Sequence, residues 1–299
     1  MLDQITPLIL THNEAPNIGR TLAELSWAND IVVVDSFSDD ETLEIVSRVP
    51  QVRVYQREFD SHENQWNFGL KETGINSEWV LALDADYVIT KDFLTELKML
   101  RASLDNKGYR AKFIYCINGQ RLTSGIYPPV TVLYRRGDAS YFQDGHTHKL
   151  SLDGRIETMR SSILHDDRKP LSRWLQAQSR YTKLEADKLL SADAESLSWI
   201  DLVRRLRIVA PPAMLLYCLI IRGGVLDGWA GFYYAFQRGL AELMLSLYLI
   251  DHDLRIPGVD RLQRNRRSAD TKKVISVAPE TTPETEPALV YSPGRNRAN

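Results

Sequence analysis

Trp79-Val80-Leu81-Ala82-Leu83-Asp84-Ala85-Asp86 is the stretch on which the fold turns. An unbroken apolar run from Trp79 to Leu83 suits a strand covered on both faces, as in the middle of a parallel sheet. The run stops at two carboxylates spaced two apart. Ligands of open α/β sheets sit beyond the carboxyl ends of the strands, and side chains two apart in a strand share a direction. Asp84 and Asp86 are therefore expected to face one bound object together. Neighbouring carboxylates repel, and a divalent cation relieves that repulsion. Magnesium or manganese is commonly held by one or two carboxylates plus substrate phosphates. A capping Asp followed by a turn Asp would read the same locally, so the flanking segments must arbitrate.

Upstream, Ile5 to Leu10 reads as a first strand, weakened by Pro7, which lacks a ladder donor. It empties into Thr11-His12-Asn13-Glu14-Ala15-Pro16-Asn17, with Asn17 as a helix cap before the amphipathic Ile18, Leu22 and Leu25. Ile31 to Val34 is a second strand ending at Asp35. Ser38-Asp39-Asp40-Glu41-Thr42 opens a helix with acidic residues where its dipole favours them. Val52 to Tyr55 is a third strand, and Asn64 to Leu70 a helix leading into the Asp-x-Asp strand. This alternation predicts an α/β fold with a mostly parallel central sheet and helical crossovers. No Gly-x-Gly-x-x-Gly follows the first strand and no Gly-Lys-Ser/Thr occurs, which argues against a dinucleotide dehydrogenase and a P-loop ATPase. Strand ends carrying Asp35, Asp84 and Asp86 suit hydroxyls, base N–H groups and a metal, which are the parts of a nucleotide-sugar.

Composition sets outer bounds. A net charge of −2 gives no electrostatic case for nucleic acid as the main partner. Cys116 and Cys218 stand alone, without the spacing of a zinc site or a disulfide framework, which fits a reducing setting. The start runs straight into the first strand without a signal-peptide pattern, so a cytoplasmic location is expected.

Three segments in order, Thr11-His12-Asn13-Glu14, Val33-Val34-Asp35-Ser36-Phe37-Ser38-Asp39-Asp40-Glu41-Thr42 and Leu83-Asp84-Ala85-Asp86, resemble the signatures of family-2 glycosyltransferases of the GT-A, Rossmann-like fold. More narrowly, the chain resembles bacterial glucosyltransferases of lipopolysaccharide core assembly. That likeness runs on through Leu133 to Gly137, Asp144 to His148, Leu164-His165 and Arg222-Gly223-Gly224-Val225-Leu226-Asp227-Gly228. Phe37 replaces a usual Gly, Tyr87 a common Glu, Trp66 a frequent Lys and Lys149 a frequent Glu.

The resemblance implies inverting, metal-dependent transfer of a sugar from a nucleotide-sugar, of UDP-hexose type, to a hydroxyl of a membrane-associated glycan or lipid acceptor. Asp35 and Asp84 would hold the nucleoside and Asp86 the manganese or magnesium ion. Thr11, Asn13 and Glu14 would line the same crevice. Asp144 matches the catalytic acidic position, with His148 as the alternative base. His165 is a candidate metal ligand, and Arg135 and Arg136 are candidate diphosphate ligands or merely solvated. A sugar nucleotidylyltransferase would share the sheet and carboxylates but needs a Gly-rich, Arg-bearing loop after the first strand, which Thr11 to Ile18 lacks. A non-catalytic membrane-bound scaffold on the same fold is the third reading.

The domain expectation is a glycosyltransferase domain over 1–170, a helical region over 171–262 and a disordered tail over 263–299. The stretches Ile208–Ile221 and Trp229–Ile250 are apolar and aromatic-rich. The first is too short to span a bilayer, and Arg238 and Glu242 interrupt the second. They read as a platform lying in the inner face of the cytoplasmic membrane, with Arg204, Arg205 and Arg207 toward anionic lipid. A hairpin packed on the sheet or on a twin subunit, giving a homodimer, is the competing reading. The tail is rich in Pro, Glu and Thr.

Overall fold

The apolar strands do alternate with helices through the first hundred residues. The structure, a computed structural model, describes residues 1–100, 105–144 and 147–255, with only the backbone of 143, 144, 147 and 194. Strand β1 (Ile5–Thr11) leads through α1 (Ile18–Ala23) to β2 (Ile31–Asp35), then through α2 (Thr42–Ser47) to β3 (Val52–Gln56). Helix α3 (His62–Lys71) carries the chain back across the sheet to β4 (Trp79–Asp84). These four strands are parallel in the order β3-β2-β1-β4. The winding therefore reverses between β1 and β4, and a crevice opens at their carboxyl ends. Pro7 fits the middle of this sheet because pairing of β1 with β2 begins one residue later, at Leu8.

The remaining strands extend the sheet beyond β4. They are β5 (Tyr87–Ile89), β6 (Asn106–Ile117) after α4 (Lys91–Met99), the short β7 (Gln120–Arg121), β8 (Val130–Arg135) and β11 (Arg155–His165). The order from β4 is β8-β6-β11-β5, with β8 and β5 running against their neighbours. A separate hairpin, β9 (Ala139–Asp144) with β10 (Thr147–Leu152), lies over α3. Asn67 pins it there, donating to the Tyr141 carbonyl at 2.9 Å and accepting from its N–H at 3.0 Å.

Both faces of β4 are covered, which is why its sequence is apolar without alternation. Trp79, Leu81 and Leu83 pack with Leu22, Phe93 and Leu97, whereas Val80 and Ala82 meet Trp66, Leu70 and Tyr141. The central strands leave no room for side chains opposite Gly69. A Cβ there would sit 2.8 Å from Leu8.

Helices α5 (Leu171–Ser191), α6 (Trp199–Arg204), α7 (Ala210–Leu216) and α8 (Gly228–Arg255) follow. Residues Met1–Leu254 form one compact unit, so this helical region packs with the sheet. Its attachment runs through the Arg222–Gly228 segment. Asp227 accepts from the N–H and hydroxyl of both Thr123 and Ser124, and Arg222 donates to the Gly125 carbonyl at 3.0 Å. Gly231 lets α8 approach the Gly224 carbonyl, which a Cβ would meet at 1.9 Å. Glu242 does not break α8 because it turns inward to Arg204 at 2.6 Å.

The three arginines expected at a lipid surface are used inside the protein. Arg204 pairs with Glu242, Glu185 and Asp201, Arg207 with Asp253, and Arg205 donates to the Leu189 and Ala192 carbonyls. Among the described residues no single helix is long and apolar enough to cross a membrane. Ala210–Ile221 and Gly224–Arg255 reach that composition only as a pair bent by 69°. The expected tail over 263–299 lies outside the described residues.

Candidate active site

At the carboxyl end of β4 the strand stops at Asp84, and Ala85-Asp86 form a turn. Asp84 and Asp86 are thus not successive positions of one strand face, as the spacing predicts. The Thr21 hydroxyl donates to the Ala85 carbonyl at 2.7 Å and fixes the turn. β5 then pairs with the end of β11, setting Tyr87 opposite His165. His165 Nε2 consequently lies 3.1 Å from Asp86 Oδ2. Tyr87, Tyr115 and Tyr127 pack around the imidazole, with ring centroids 4.6 to 5.2 Å from it.

The electrostatics of this corner are those of crowded acid. Burial, then the Asp86 charge, pushes Asp84 up to about 6. Burial would raise Asp86 too, but the His165 charge beside it holds it below the usual carboxylate range. Burial opposes charge on His165, and Asp86 overcomes that and raises it. Asp86 Oδ1 and His165 Nδ1 are buried without a partner. An orphaned carboxylate oxygen beside a second carboxylate and an imidazole is a donor set that manganese or magnesium accepts. No group of three His, Cys, Asp or Glu among the described residues forms a cage. A cation here would complete its shell with substrate oxygens and water.

The loop after β1 closes the other wall. Glu14 takes hydrogen bonds from Asn17 Nδ2 at 2.8 Å and Lys169 Nζ at 2.6 Å. Burial raises Glu14 to about 7 against the pull of Lys169. Asp166 binds Arg20 and Arg168, and Asp167 accepts from Asn17 at 2.9 Å. The segment 166–169 thereby ties the end of β11 to the loop after β1, and sequence reasoning passed over it. Its signal is a charge cluster directly after a strand, here one that is mostly half-buried or exposed.

Thr11, Asn13 and Asp35 are less open than expected. Asp35 is fully buried and accepts from the Thr11 hydroxyl, the Ser38 N–H and hydroxyl and Gln56. Asn13 accepts from Asp39 N–H at 2.9 Å, while its own N–H donates to the Ser38 hydroxyl. All three side chains are struts that shape the two loops, so Asp35, the one of the three expected at the nucleoside, is engaged within the protein.

Residues 8–121 match the family model described as glycosyl transferase family 2. Over that span the chain is similar to family-2 glycosyltransferases. An uncharacterized glycosyltransferase of Rickettsia bellii is 30% identical over 109 residues, and one of Rickettsia felis 28% over 111. The matches cover 36% and 37% of this chain, and it spans only 36% and 38% of those relatives' lengths. Among solved structures, Staphylococcus aureus TarS 1–349 in complex with UDP-GlcNAc aligns at 15% identity and a TM-score of 0.40, over 84% of this chain and 92% of that one. Glucosyl-3-phosphoglycerate synthase of Mycobacterium tuberculosis, with Mn2+, UDP-glucose and phosphoglyceric acid, aligns at 16% and 0.45, over 64% and 81%.

Other expected residues fall differently. Arg135 pairs with Trp79 at the amino-terminal end of β4, with its guanidinium 4.9 Å from the indole ring centroid. The Arg136 N–H donates to the Glu78 carbonyl. Both arginines thus stand at the end of the sheet opposite the Asp84 crevice, and the expectation that they bind a diphosphate is wrong. His148 stacks near His62, Trp66 and Tyr141, with centroids 5.4 to 6.0 Å away. Burial, then His62, lowers it to about 4, so it is neutral at physiological pH and a weak base. Asp144 ends β9, its backbone paired with Thr147; its side chain lies outside the described residues.

Proposed function

We propose that this chain transfers a sugar, with inversion, from a nucleoside-diphosphate-sugar to a hydroxyl of a membrane-associated glycan or lipid, as in lipopolysaccharide or cell-envelope glycan assembly. The observation that carries the reading is the Asp84, Asp86 and His165 cluster at the switch point of a sheet similar to family-2 glycosyltransferases. Asp86 and His165 would hold the divalent cation, His165 giving up its proton as the ion enters, with Asp84 beside them. When bound, the cation supplies Lewis-acid neutralisation of the charge developing on the leaving diphosphate. Asp84 presents its carboxylate to donor hydroxyls. Glu14, held by Lys169, closes the crevice wall. The acceptor proton goes to Asp144, the acidic residue at the end of β9, with neutral His148 as the alternative base.

A lipid-facing role rests on α8. Trp229, Tyr233, Phe236, Leu240, Leu243 and Leu247 recur at helical spacing and are exposed, while Ala230, Tyr234, Leu245 and Leu249 face inward. Such a stripe, with Leu216, Ile220, Ile221 and Leu226 exposed nearby in the chain, suits a helix lying in the interface at the cytoplasmic side. The same stripe would serve a homodimer if it paired with its twin. The reading is tested by release of free sugar from a panel of UDP-, GDP-, ADP- and CDP-sugars, with and without manganese. Manganese-dependent turnover of at least one donor is expected. No turnover of any donor, together with no nucleotide binding, would remove it.

A further inference from the structure

Phe37 is the departure from the family pattern that the site leaves unexplained. It stands one residue beyond Ser36 at the end of β2, with φ of 55°. A bulky L-residue in the left-handed region is an outlier, because its Cβ crowds the backbone. Glycine meets that requirement freely.

The frame around Phe37 imposes the strain. The Ser36 N–H donates to the Thr11 carbonyl at 2.9 Å and its hydroxyl accepts from Gln65 at 2.7 Å. Ser38 N–H donates to Asp35, and the Ser38 hydroxyl accepts from Asn13 N–H at 2.8 Å. Both neighbours of Phe37 are therefore tied inward. Phe37 itself, in contrast, is 56% exposed. A phenyl ring here costs both strain and apolar exposure, and nothing in packing repays either. Strain of this kind gathers where a ligand is held.

The ladder locates that ligand. Leu10 pairs with Asp84 and Thr11 with Asp35, so the end of β2 lies two strands from the end of β4. Two strand spacings are about 10 Å. A nucleotide whose diphosphate sits at Asp84 and Asp86 and whose ribose crosses β1 brings its base to the end of β2. We propose that Phe37 is the platform on which the donor's nucleobase stacks. This rests on the nucleotide-sugar reading above and adds a specificity residue to it.

The test is calorimetric titration of the full chain with manganese present, using UDP, GDP, ADP and CDP and, as a probe lacking a base, inorganic pyrophosphate. Loss of one stacked base weakens binding by about ten-fold or more. Phe37→Gly should therefore weaken the preferred nucleotide by that factor, leave pyrophosphate unchanged and not lower the unfolding midpoint. Phe37→Trp should retain nucleotide affinity. Unchanged nucleotide affinity in Phe37→Gly, or an equal loss of pyrophosphate and nucleotide, would overturn the platform while wild-type binding upholds the donor reading. Wild type binding none of the four nucleotides would overturn the donor reading itself, and the platform with it.

Discussion

At the scale of single residues, the site is organised by one carboxylate bonded to an imidazole and a second, bonded by the Tyr87 hydroxyl, over which burial prevails. Asp86 is held down by His165, whereas Asp84 is pushed up to about 6, by burial first and then by Asp86. A carboxyl raised on folding favours the folded state while protonated, below its unfolded pKa, and that contribution is lost as pH climbs through the folded value. Stability of the metal-free protein should thus fall between about pH 4 and pH 7 on account of Asp84. Asp84→Asn removes the liability. It should raise stability near pH 8 by on the order of 2 kcal/mol and change little near pH 4. Urea denaturation at the two pH values measures this directly, and equal gains at both would contradict the assignment. Thr11, Asn13 and Asp35 teach a different lesson. The sequence marks them as important but not which way they point, because a strand-end Asp looks the same whether it meets a ligand or four donors of its own chain.

At the scale of elements, the alternation of strand and helix was legible because β1, β2 and β4 are covered on both faces and so appear as unbroken apolar runs. The Asp-x-Asp was also legible, though not its geometry, since a turn begins at Ala85 and only pairing of β5 with β11 brings His165 alongside. That contact spans 79 residues of sequence and has no local signature. Arg135 and Arg136 were misplaced for the same reason. Nothing in Leu133 to Gly137 tells that β8 runs against β4 and delivers its end to the far side of the sheet. The Arg222–Gly228 motif is now explained as a clamp between the helical region and residues 122–125. Gly231→Ala tests it. The added methyl would meet the Gly224 carbonyl, which is backbone and cannot rotate away. A loss of about 1–3 kcal/mol is expected, read as a lowered denaturation midpoint, while Gly239→Ala, whose Cβ has 3.6 Å of clearance from Leu215, should be tolerated.

At the scale of the whole molecule, the sheet offers a crevice at the carboxyl ends of its parallel strands and α8 offers an exposed apolar stripe. Because Arg204, Arg205 and Arg207 are occupied internally, the described helices should reach membrane through apolar contact more than through charge. Phe236→Glu combined with Leu247→Glu should reduce sedimentation with vesicles about ten-fold or more, each change placing a charge in the buried face of an interfacial helix. Wild-type sedimentation should survive high salt and occur on neutral vesicles, and binding that disappears under either condition would contradict the apolar account. The claim on which everything else depends is that Asp86 recruits a cation to hold a nucleoside diphosphate at the β1–β4 crevice. Calorimetric binding of UDP to wild type and to Asp86→Asn, each with manganese and with chelator, tests it most directly. Manganese-dependent binding by wild type is expected, weakened at least a hundred-fold in the variant. Equal UDP affinity in all four measurements would contradict it.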